Sequence, residues 1–369
     1  MKEVWQSWLC QNIVTGVLSC VLLAVLALLM RRAPWRAAAR RLFAGRGTVV
    51  SAVVLAVYVL VALLDSVGWR KPVLSPDTGQ PLRVNGAIVY DKGASALDYM
   101  LKPLSSRREV SYSAPLAEYQ FTTSPQETEN GVIKVHKRLN YPGRHLLGTD
   151  IIGADVLVLS LKSIRTGIVI GFLTTLLAIP FALLFGLSAG YYGGWMDDTV
   201  QAICTLLSSV PSVLLIAALM LVFGRGLPQL CIAMGLASWT GLCRLLRGEA
   251  MRLREADYVT AAVGLGVPAR KIILRHILPN VMHLIIINVL LRFSSEVLAE
   301  AALTYLGIGV DADTMSWGMM INDARMELTR HPVIWWKLTA AFIFMVGLLL
   351  PANILGDAAR DALDPKLSK

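Results

Sequence analysis

The most prominent pattern in this chain is a series of long apolar segments separated by polar and mostly basic ones. Segments of about 20 apolar residues can cross a bilayer, and seven of them lie near residues 9–30, 48–67, 164–187, 199–223, 228–246, 281–303 and 334–355. The first segment is followed by arginines and by no small-residue cleavage site, which favours a retained helix over a signal peptide. The pattern therefore predicts about seven transmembrane helices.

The basic residues between these segments predict the orientation of the chain. They concentrate in residues 31–47, in residues 244–275 and in the C-terminal tail. Because short loops rich in Lys and Arg stay in the cytoplasm, these three regions are predicted to be cytoplasmic and the N-terminus to lie outside. Residues 188–198 carry Asp197 and Asp198 but no basic residue, and we expect a solvated loop there.

Residues 69–146 form a long polar stretch that this orientation places outside the cytoplasm. Asn85-Gly86 and Asn130-Gly131 each stand between alternating residues, and Asn-Gly favours the type I′ turn of a β-hairpin. Further short strands are predicted at Val110–Tyr112 and Tyr119–Phe121. Structureless connections of this length are uncommon, so the pattern favours a small, partly β domain over the alternative of a flexible loop.

Composition agrees with a membrane protein and narrows the classes of function. The chain is 55% hydrophobic and 16% charged, with a mean hydropathy of +0.59, whereas a soluble domain is about 25% charged. The net charge of +10 could indicate nucleic-acid binding. Its clustering between apolar segments instead indicates the positive-inside rule, and no nucleic-acid partner is expected.

Motifs for chemistry are missing from the sequence. No GxxxxGK[ST] phosphate loop occurs, so the chain is not expected to bind ATP itself. The five histidines form no HExxH pair, and the five cysteines lie within apolar segments and form no CxxC motif, so neither a metal site nor a disulfide framework is predicted. We expect no catalytic residue and no cofactor in this chain.

The cytoplasmic stretch 254–280 is the most informative one. It predicts two short helices joined by a sharp turn, because Gly264 and Gly266 let the chain turn and Pro268 suits the start of a second helix. An apolar stripe with helical spacing is predicted on the first helix, formed by Tyr258, Ala261, Ala262 and Leu265. Such a ridge is suited to docking into another protein, or alternatively to lying among lipid headgroups.

Three ionisable residues recur every four positions within the apolar segment 281–303. They are Arg292, Glu296 and Glu300. Ionisable groups inside a span face the protein interior or a water-filled cavity. They are candidates either for an ion pair that joins neighbouring helices or for a direct role in a translocation path.

The stretch 254–280 also resembles a known element. Thr260-Ala261-Ala262, followed by Gly266 and by His276-Ile277-Leu278-Pro279, resembles the EAA loop of ABC importer permeases. The flanking residues look like those of the C-type subunit of dipeptide and oligopeptide permeases. Other blocks agree with this branch, namely Leu147–Leu157, Gly190–Asp197, Leu303–Gly309, Ser316–Gly318 and Gly356–Pro365. The resemblance is close over residues 147–367 and loose over residues 48–67.

The resemblance implies an all-α integral membrane protein with the MetI-like ABC importer permease fold, here with a small β-containing extracytoplasmic insert. It implies a bacterial inner-membrane location and a role in importing peptides. The implied partners are a B-type permease, two ATPase subunits that hold ATP and Mg²⁺, a solute-binding protein and membrane lipid. The residues expected to contact an ATPase subunit are Glu255, Asp257, Tyr258, Thr260, Ala261, Ala262, Gly264, Leu265 and Gly266.

Departures from the family pattern and rival functions remain open at this point. Thr260 stands where the EAA loop begins with Glu, Ala154 replaces an Arg, and Thr205 replaces an Asp. Similar permeases carry nickel, glutathione or sugars, and a membrane-embedded enzyme is a more distant rival. The predicted organisation is an extra helix and basic loop over 1–47, a first core helix over 48–68, the insert over 69–146, the permease core over 147–355 with the coupling loop 247–279, and a tail over 356–369.

Overall fold

The computed structural model describes residues 39–69, 83–84, 87–88, 93–128, 131–311 and 313–363, and most of them are helical. The helices are α1 (Arg46–Ser66), α2 (Ala96–Met100), α3 (Lys102–Ser105), α4 (Val156–Tyr192), α5 (Gly194–Ser209), α6 (Ser212–Phe223), α7 (Leu227–Arg254), α8 (Asp257–Gly264), α9 (Ala269–Ile272), α10 (Leu278–Tyr305), α11 (Trp317–Leu328) and α12 (Trp336–Leu363). A π-helical turn, Ile273–Ile277, joins α9 to α10. The strands are β1 (Gly68–Trp69), β2 (Arg83–Val84), β3 (Ala87–Ile88), β4 (Ala94–Ser95), β5 (Tyr119–Thr128) and β6 (Gly131–Arg138).

Six of the predicted spans correspond to helices of the described residues. Five helical stretches are long and apolar enough to cross a membrane, Arg46–Ser66, Val156–Tyr192, Leu227–Arg254, Ala269–Tyr305 and Trp336–Ala362, and the pair α5 and α6 makes a sixth if it counts as one span. The axes of that pair differ by 91°, at a break next to Pro211, which has no backbone N–H to continue a helix. The predicted span at 9–30 lies outside the described residues.

The predicted loop over 188–198 is wrong. α4 continues to Tyr192 and α5 begins at Gly194, so Gly193 alone separates the two helices. A φ of +67° at Gly193 makes this sharp break possible, because glycine adopts positive φ without steric cost. Asp197 therefore lies in the first turn of α5, where its carboxylate accepts two hydrogen bonds from the Arg247 guanidinium. At the other end of the chain, α12 continues beyond residue 355 into the predicted tail.

The predicted hairpins of the insert are both present as antiparallel strand pairs. β2 pairs with β3, with Val84 opposite Ala87. β5 pairs with β6, with Thr128 opposite Gly131, so Gly131 starts the second strand and does not belong to the turn. The prediction of a strand at Tyr119–Phe121 is confirmed, because these residues begin β5.

The predicted strand at Val110–Tyr112 is wrong, since these residues have no regular structure. Their backbone carbonyl groups accept single hydrogen bonds from separate parts of the chain and do not pair with a neighbouring strand. The Ser111 carbonyl accepts a hydrogen bond from the Thr149 hydroxyl at 2.9 Å, and the Tyr112 carbonyl accepts one from the Phe121 N–H at 3.1 Å.

The described residues form two compact units. The first contains residues 53–165 and 315–348, and the second contains residues 41–52, 166–314 and 349–363. The insert therefore does not fold apart from the permease helices, because within the first unit it packs on them. Phe121 of β5 lies edge-on against Trp336 with 4.9 Å between ring centroids, and the Trp336 indole N–H donates to the Thr149 carbonyl at 3.0 Å.

Within the second unit, α4 and α7 approach closely through glycines. A Cβ on Gly190 would lie 2.5 Å from the Arg247 carbonyl oxygen and 2.7 Å from the Ala250 Cβ. A Cβ on Gly186 would lie 2.7 Å from the Cys243 carbonyl oxygen. Small residues let helix backbones pack closely in membranes, where van der Waals contact drives helix association. The helices of this unit therefore depend on these two positions for their close contact.

We expect Gly190→Ala to destabilise the protein by about 1–3 kcal/mol, because the added methyl group overpacks the α4–α7 contact. The matched control is Gly248→Ala on α7, where an added Cβ meets nothing within 4 Å. The control should be neutral or slightly stabilising, since alanine favours the helix over glycine. Thermal unfolding in detergent measures both variants, and an equal midpoint for the two would contradict the close contact.

Candidate functional site

The coupling segment, which we define as residues 255–266, consists of the short helix α8 and the turns at its two ends. α8 spans Asp257–Gly264 and follows α7 directly. Its inner face is closed, since Val259 and Ala262 are buried in an apolar core with residues of α4, α5, α7 and α10. The second short helix begins at Ala269, directly after Pro268. The predicted arrangement of helix, turn and helix is confirmed.

The outer face of the coupling segment is both exposed and apolar. Leu265 is 84% exposed, Val263 53% and Tyr258 44%. Eight of the nine residues predicted to contact an ATPase subunit are exposed, namely Glu255, Asp257, Tyr258, Thr260, Ala261, Gly264, Leu265 and Gly266. Ala262 is the exception, because it points into the core. The predicted stripe is therefore wrong at Ala262, and Val263 joins the exposed face in its place.

The turn after α8 depends on Gly266. Its φ is +73°, a left-handed conformation that costs a residue with a Cβ about 1–2 kcal/mol. The Gly266 N–H donates to the Val263 carbonyl at 2.9 Å, which closes the helix end. Gly264 lies within the helix and needs no positive φ. Of the two glycines in the sequence prediction, Gly266 is the one whose backbone makes the turn.

Arg292 connects two helices of the second unit. Its guanidinium Nη1 donates to the Ser238 carbonyl of α7 at 2.6 Å and lies 3.8 Å from the Glu296 carboxylate on its own helix, α10. A guanidinium inside a membrane is costly unless it is paired with carboxylates or carbonyls. The ion pair of Arg292 therefore lies within α10, and its link to the neighbouring helix is a hydrogen bond to a backbone carbonyl and not the predicted ion pair.

Glu300 does not join that pair. It is 1% exposed, and its carboxylate accepts a hydrogen bond from the Thr304 hydroxyl one turn further along α10, at 2.8 Å. Glu296 is also buried. The structure thus brings Arg292 and Glu296 together and directs Glu300 to a different partner.

The sequence reasoning missed a buried ionic cluster in the first unit. The Lys337 ammonium lies 2.9 Å from the Asp323 carboxylate and 3.4 Å from the Glu327 carboxylate. Burial raises the pKa of Glu327, although Lys337 opposes this effect. Burial, together with the negative charge of Glu327, also raises the pKa of nearby Tyr112 to about 12. Asp323, Glu327 and Lys337 are close in sequence but belong to two helices, α11 and α12, and no local motif predicts how these helices pack against each other or against Tyr112.

A second cluster that the sequence did not reveal holds the insert against α1 and α4. Lys162 of α4 forms an ion pair with Asp98 at 2.6 Å, and Arg165 forms one with Asp65 at 3.3 Å. Burial favours the protonated form of Asp98, but the hydrogen bonds from Lys162 and Ser95 and the positive charge of Lys162 together outweigh it and lower the pKa of Asp98. No group of His, Cys, Asp and Glu suited to a metal ion occurs among the described residues.

A comparison with known protein families identifies the family of the chain. The family described as "Binding-protein-dependent transport system inner membrane component" matches residues 182–369, which is half of the chain and includes the coupling segment and α10. The chain belongs to this family. It is therefore a multi-pass membrane permease subunit of a transport system and not itself an enzyme, which confirms the predicted class. Membership implies that ATPase and solute-binding proteins are its partners.

Curated relatives of this permease are similar to it over more than half of its length. The oligopeptide transport system permease protein OppC of Bacillus subtilis is 36% identical over 225 residues, which cover 61% of this chain and 73% of the relative. The dipeptide transport system permease protein DppC of the same organism is 33% identical over 226 residues, which cover 61% and 70%. A solved structure of the MetNI methionine ABC transporter, in an inward-facing conformation, matches 56% of this chain and 97% of its own at 16% identity, with a TM-score of 0.45.

We expect Gly266→Val in this permease to reduce the coupling of ATP hydrolysis to transport by roughly tenfold, because a β-branched residue resists positive φ and would displace Leu265. Gly264→Ala is the matched control, since its position is helical and an added Cβ meets nothing within 4 Å. Transported substrate per ATP hydrolysed, measured in proteoliposomes with the partner subunits, reports the effect. Equal coupling in Gly266→Val and wild type would show that the turn is not needed.

Proposed function

We propose that this chain is the C-type permease subunit of an ATP-driven, binding-protein-dependent importer of di- and oligopeptides. It forms half of the translocation path together with a B-type permease. Two ATPase subunits bind ATP and Mg²⁺ below the membrane, and an extracytoplasmic solute-binding protein delivers the peptide. The peptide cargo is supported by the oligopeptide and dipeptide permeases among the relatives. A glutathione permease of Pectobacterium atrosepticum is also similar, at 34% identity over 225 residues.

The observation that carries this proposal is that one face of α8 is buried while the opposite face is exposed and apolar. Its inner residues Val259 and Ala262 are buried, while Tyr258, Val263 and Leu265 on the outer side are exposed. An exposed apolar ridge of this kind is typical of a helix that docks into a groove of another protein. Arg252 and Arg254 in the last turn of α7 add positive charge beside it. The ridge is therefore our candidate contact for an ATPase subunit.

The same geometry supports a route for coupling. ATP-driven closure of the two ATPase subunits would move the docked α8. Because Val259 and Ala262 share one apolar core with α4, α5, α7 and α10, a displacement of α8 repacks these helices. Rigid-body movement of packed helices is a common way to switch between two states. We infer that the cavity of the transporter opens alternately to the two faces of the membrane by this movement.

We assign Arg292 and Glu296 a structural part in this switch. The hydrogen bond from Arg292 to the Ser238 carbonyl holds α10 against α7, and Glu296 balances part of the arginine charge. A hydrogen bond from a charged group that is largely shielded from water is stronger than one in water and costly to break. It would therefore keep α7 and α10 moving as one body, and Glu300 remains a candidate for the path itself.

Import by the reconstituted complex tests the function. With wild-type protein we expect ATP-dependent uptake of labelled peptides that requires the solute-binding protein. In Leu265→Ala the ATPase subunits should bind roughly 10 to 100 times more weakly, because burying a leucine contributes about 1.5–3 kcal/mol. The matched control is Met326→Ala on α11, which removes another exposed apolar side chain, 64% exposed, outside the coupling segment.

The control should assemble and import like the wild type. Uptake of nickel, glutathione or a sugar without peptide uptake would replace the proposed cargo while leaving the ATPase contact intact. Equal ATPase affinity in the wild type and in Leu265→Ala would contradict the contact. Uptake by the chain alone, without ATPase subunits, would contradict the proposal as a whole.

The orientation of the chain is a further prediction. In a variant without the five native cysteines, we expect cysteines introduced as Lys2→Cys and Lys134→Cys to react with an impermeant thiol reagent in intact spheroplasts. A cysteine introduced as Lys366→Cys should react only after lysis, because the positive-inside rule keeps the tail in the cytoplasm. Labelling of Lys2→Cys only after lysis would place the N-terminus inside.

A further inference from the structure

A cavity of about 480 Å³ opens on the insert, outside the coupling segment. Its walls are formed by Arg107, Arg138, Asn140, Tyr141, Pro142 and Arg144. Three of these six residues are arginines, and no carboxylate is among them. We call this cavity the arginine cleft. Tyr141 is partly exposed at its edge, so the cleft is open to solvent.

The backbone around the arginine cleft is held in place by a buried carboxylate. Glu109 accepts hydrogen bonds from the N–H groups of Asn140, at 3.0 Å, and Tyr141, at 2.7 Å. This carboxylate therefore fastens the segment that carries Arg107 to the turn that carries Arg144. Its side chain is fully buried, and His145 lies 3.7 Å from it. Two segments distant in sequence are thus fixed as one wall.

Further hydrogen bonds fix the turn from the other side. The Gly143 N–H donates to the Ala117 carbonyl at 2.9 Å, and the Leu116 N–H donates to the His145 carbonyl at 2.8 Å. The His145 ring bonds to the buried Asp155 carboxylate at 3.0 Å. The backbone that carries the cleft is therefore held in place before any ligand arrives, and a fixed backbone lowers part of the cost of binding.

The three guanidinium groups are available to a ligand. None of them forms a side-chain hydrogen bond or an ion pair with any residue that the structure describes. Three more deeply placed basic side chains of this unit are paired instead, Lys162 with Asp98, Arg165 with Asp65 and Lys337 with Asp323. Like charges placed around one cavity repel each other, and an anionic ligand relieves this repulsion.

We propose that the arginine cleft receives acidic side chains of the extracytoplasmic solute-binding protein. Guanidinium groups bind carboxylates through two parallel hydrogen bonds, and arginine and tyrosine are the residues enriched at the energetic centres of protein interfaces. The partner is supported by family membership, because a binding-protein-dependent permease must meet that protein on the extracytoplasmic side. The inference rests on the proposed function and names the surface and chemistry of one of its contacts.

The open shape of the cleft favours a protein surface over a small free anion. Arg138, Asn140 and Arg144 are exposed, so a free phosphate would remain largely in contact with water. Charges at such an exposed interface mainly raise the association rate and give specificity. A carboxylate on a protruding loop of the partner brings its own apolar neighbours onto Tyr141 and Pro142, which a free ion cannot do.

The test compares two triple variants of the full transporter in nanodiscs. The cleft variant is Arg107→Gln, Arg138→Gln and Arg144→Gln. The matched control is Arg108→Gln, Lys134→Gln and Lys137→Gln, which removes the same three charges from exposed positions of the insert that do not line the cleft. The probe is the solute-binding protein that stimulates ATP hydrolysis by the wild-type complex. Its affinity for each complex is measured at about 50 and about 300 mM salt, because screening weakens exposed charges.

We expect the cleft variant to bind the solute-binding protein at least about tenfold more weakly than the control at low salt, with most of the difference lost at high salt. Basal ATP hydrolysis without the binding protein should be unchanged in both, which shows that the complexes are assembled. Replacing the three arginines by lysine should restore part of the affinity, because lysine keeps the charge but not the bidentate geometry.

Equal affinity in the cleft variant and the control would overturn the docking inference and leave the proposed function standing. A defect that appears only in nanodiscs with anionic lipid would assign the arginines to lipid headgroups and also overturn it. The docking inference would also be overturned if the wild type bound inorganic phosphate and the cleft variant did not, while both bound the solute-binding protein equally well. Failure of every solute-binding protein to stimulate the wild type would instead contradict the proposed function.

Discussion

The coupling segment depends on the burial of one face of an eight-residue helix. A helix this short is not stable in water by itself, and α8 persists because Val259 and Ala262 are anchored in the same core as Ile272, Ile277 and the membrane helices. This anchoring leaves the opposite face free to stay apolar and exposed. Without it, Tyr258 and Leu265 would have no fixed arrangement for a partner to recognise. The permease can therefore expose a hydrophobic ridge without losing the helix that carries it.

The insert is likewise stabilised by packing against other parts of the chain. Fewer than about 80 residues rarely supply a sufficient hydrophobic core on their own. The insert instead packs Phe121 on Trp336 of α12, and Thr149, just after the insert, bonds both to the Ser111 carbonyl of the insert and to the Trp336 indole. The buried side chains of Glu109 and His145 add polar contacts. Their main effect is to hold the turn at Asn140 and Tyr141 in place, and they contribute little to the hydrophobic core. Such bonds give a surface a defined shape, which a binding site needs.

The sequence predicted the features that depend on local pattern or composition. Long apolar segments marked the spans, Asn-Gly marked both hairpins, and glycine spacing marked the turn at Gly266. It could not decide that Ala262 faces inward, because alanine fits either side of a stripe and tertiary packing decides. It misread Gly193-Gly194 as part of a loop, since two consecutive glycines with positive φ are enough to separate two helices without a longer connection. The hydrogen bonds between Arg292 and Ser238 and between Glu109 and Tyr141 join residues that are distant in sequence, so no local motif could predict them.

The two candidate partner surfaces differ in their physics, and this difference matches the partners proposed for them. The ridge of Tyr258, Val263 and Leu265 is apolar, so contact energy there scales with buried area and depends little on salt. Such a contact suits a subunit that stays bound through many cycles. The arginine cleft is charged and exposed, so it contributes mainly to the rate and specificity of encounter. This suits a carrier that must bind, release its cargo and leave, because an exposed ionic contact can form quickly without holding the partner tightly.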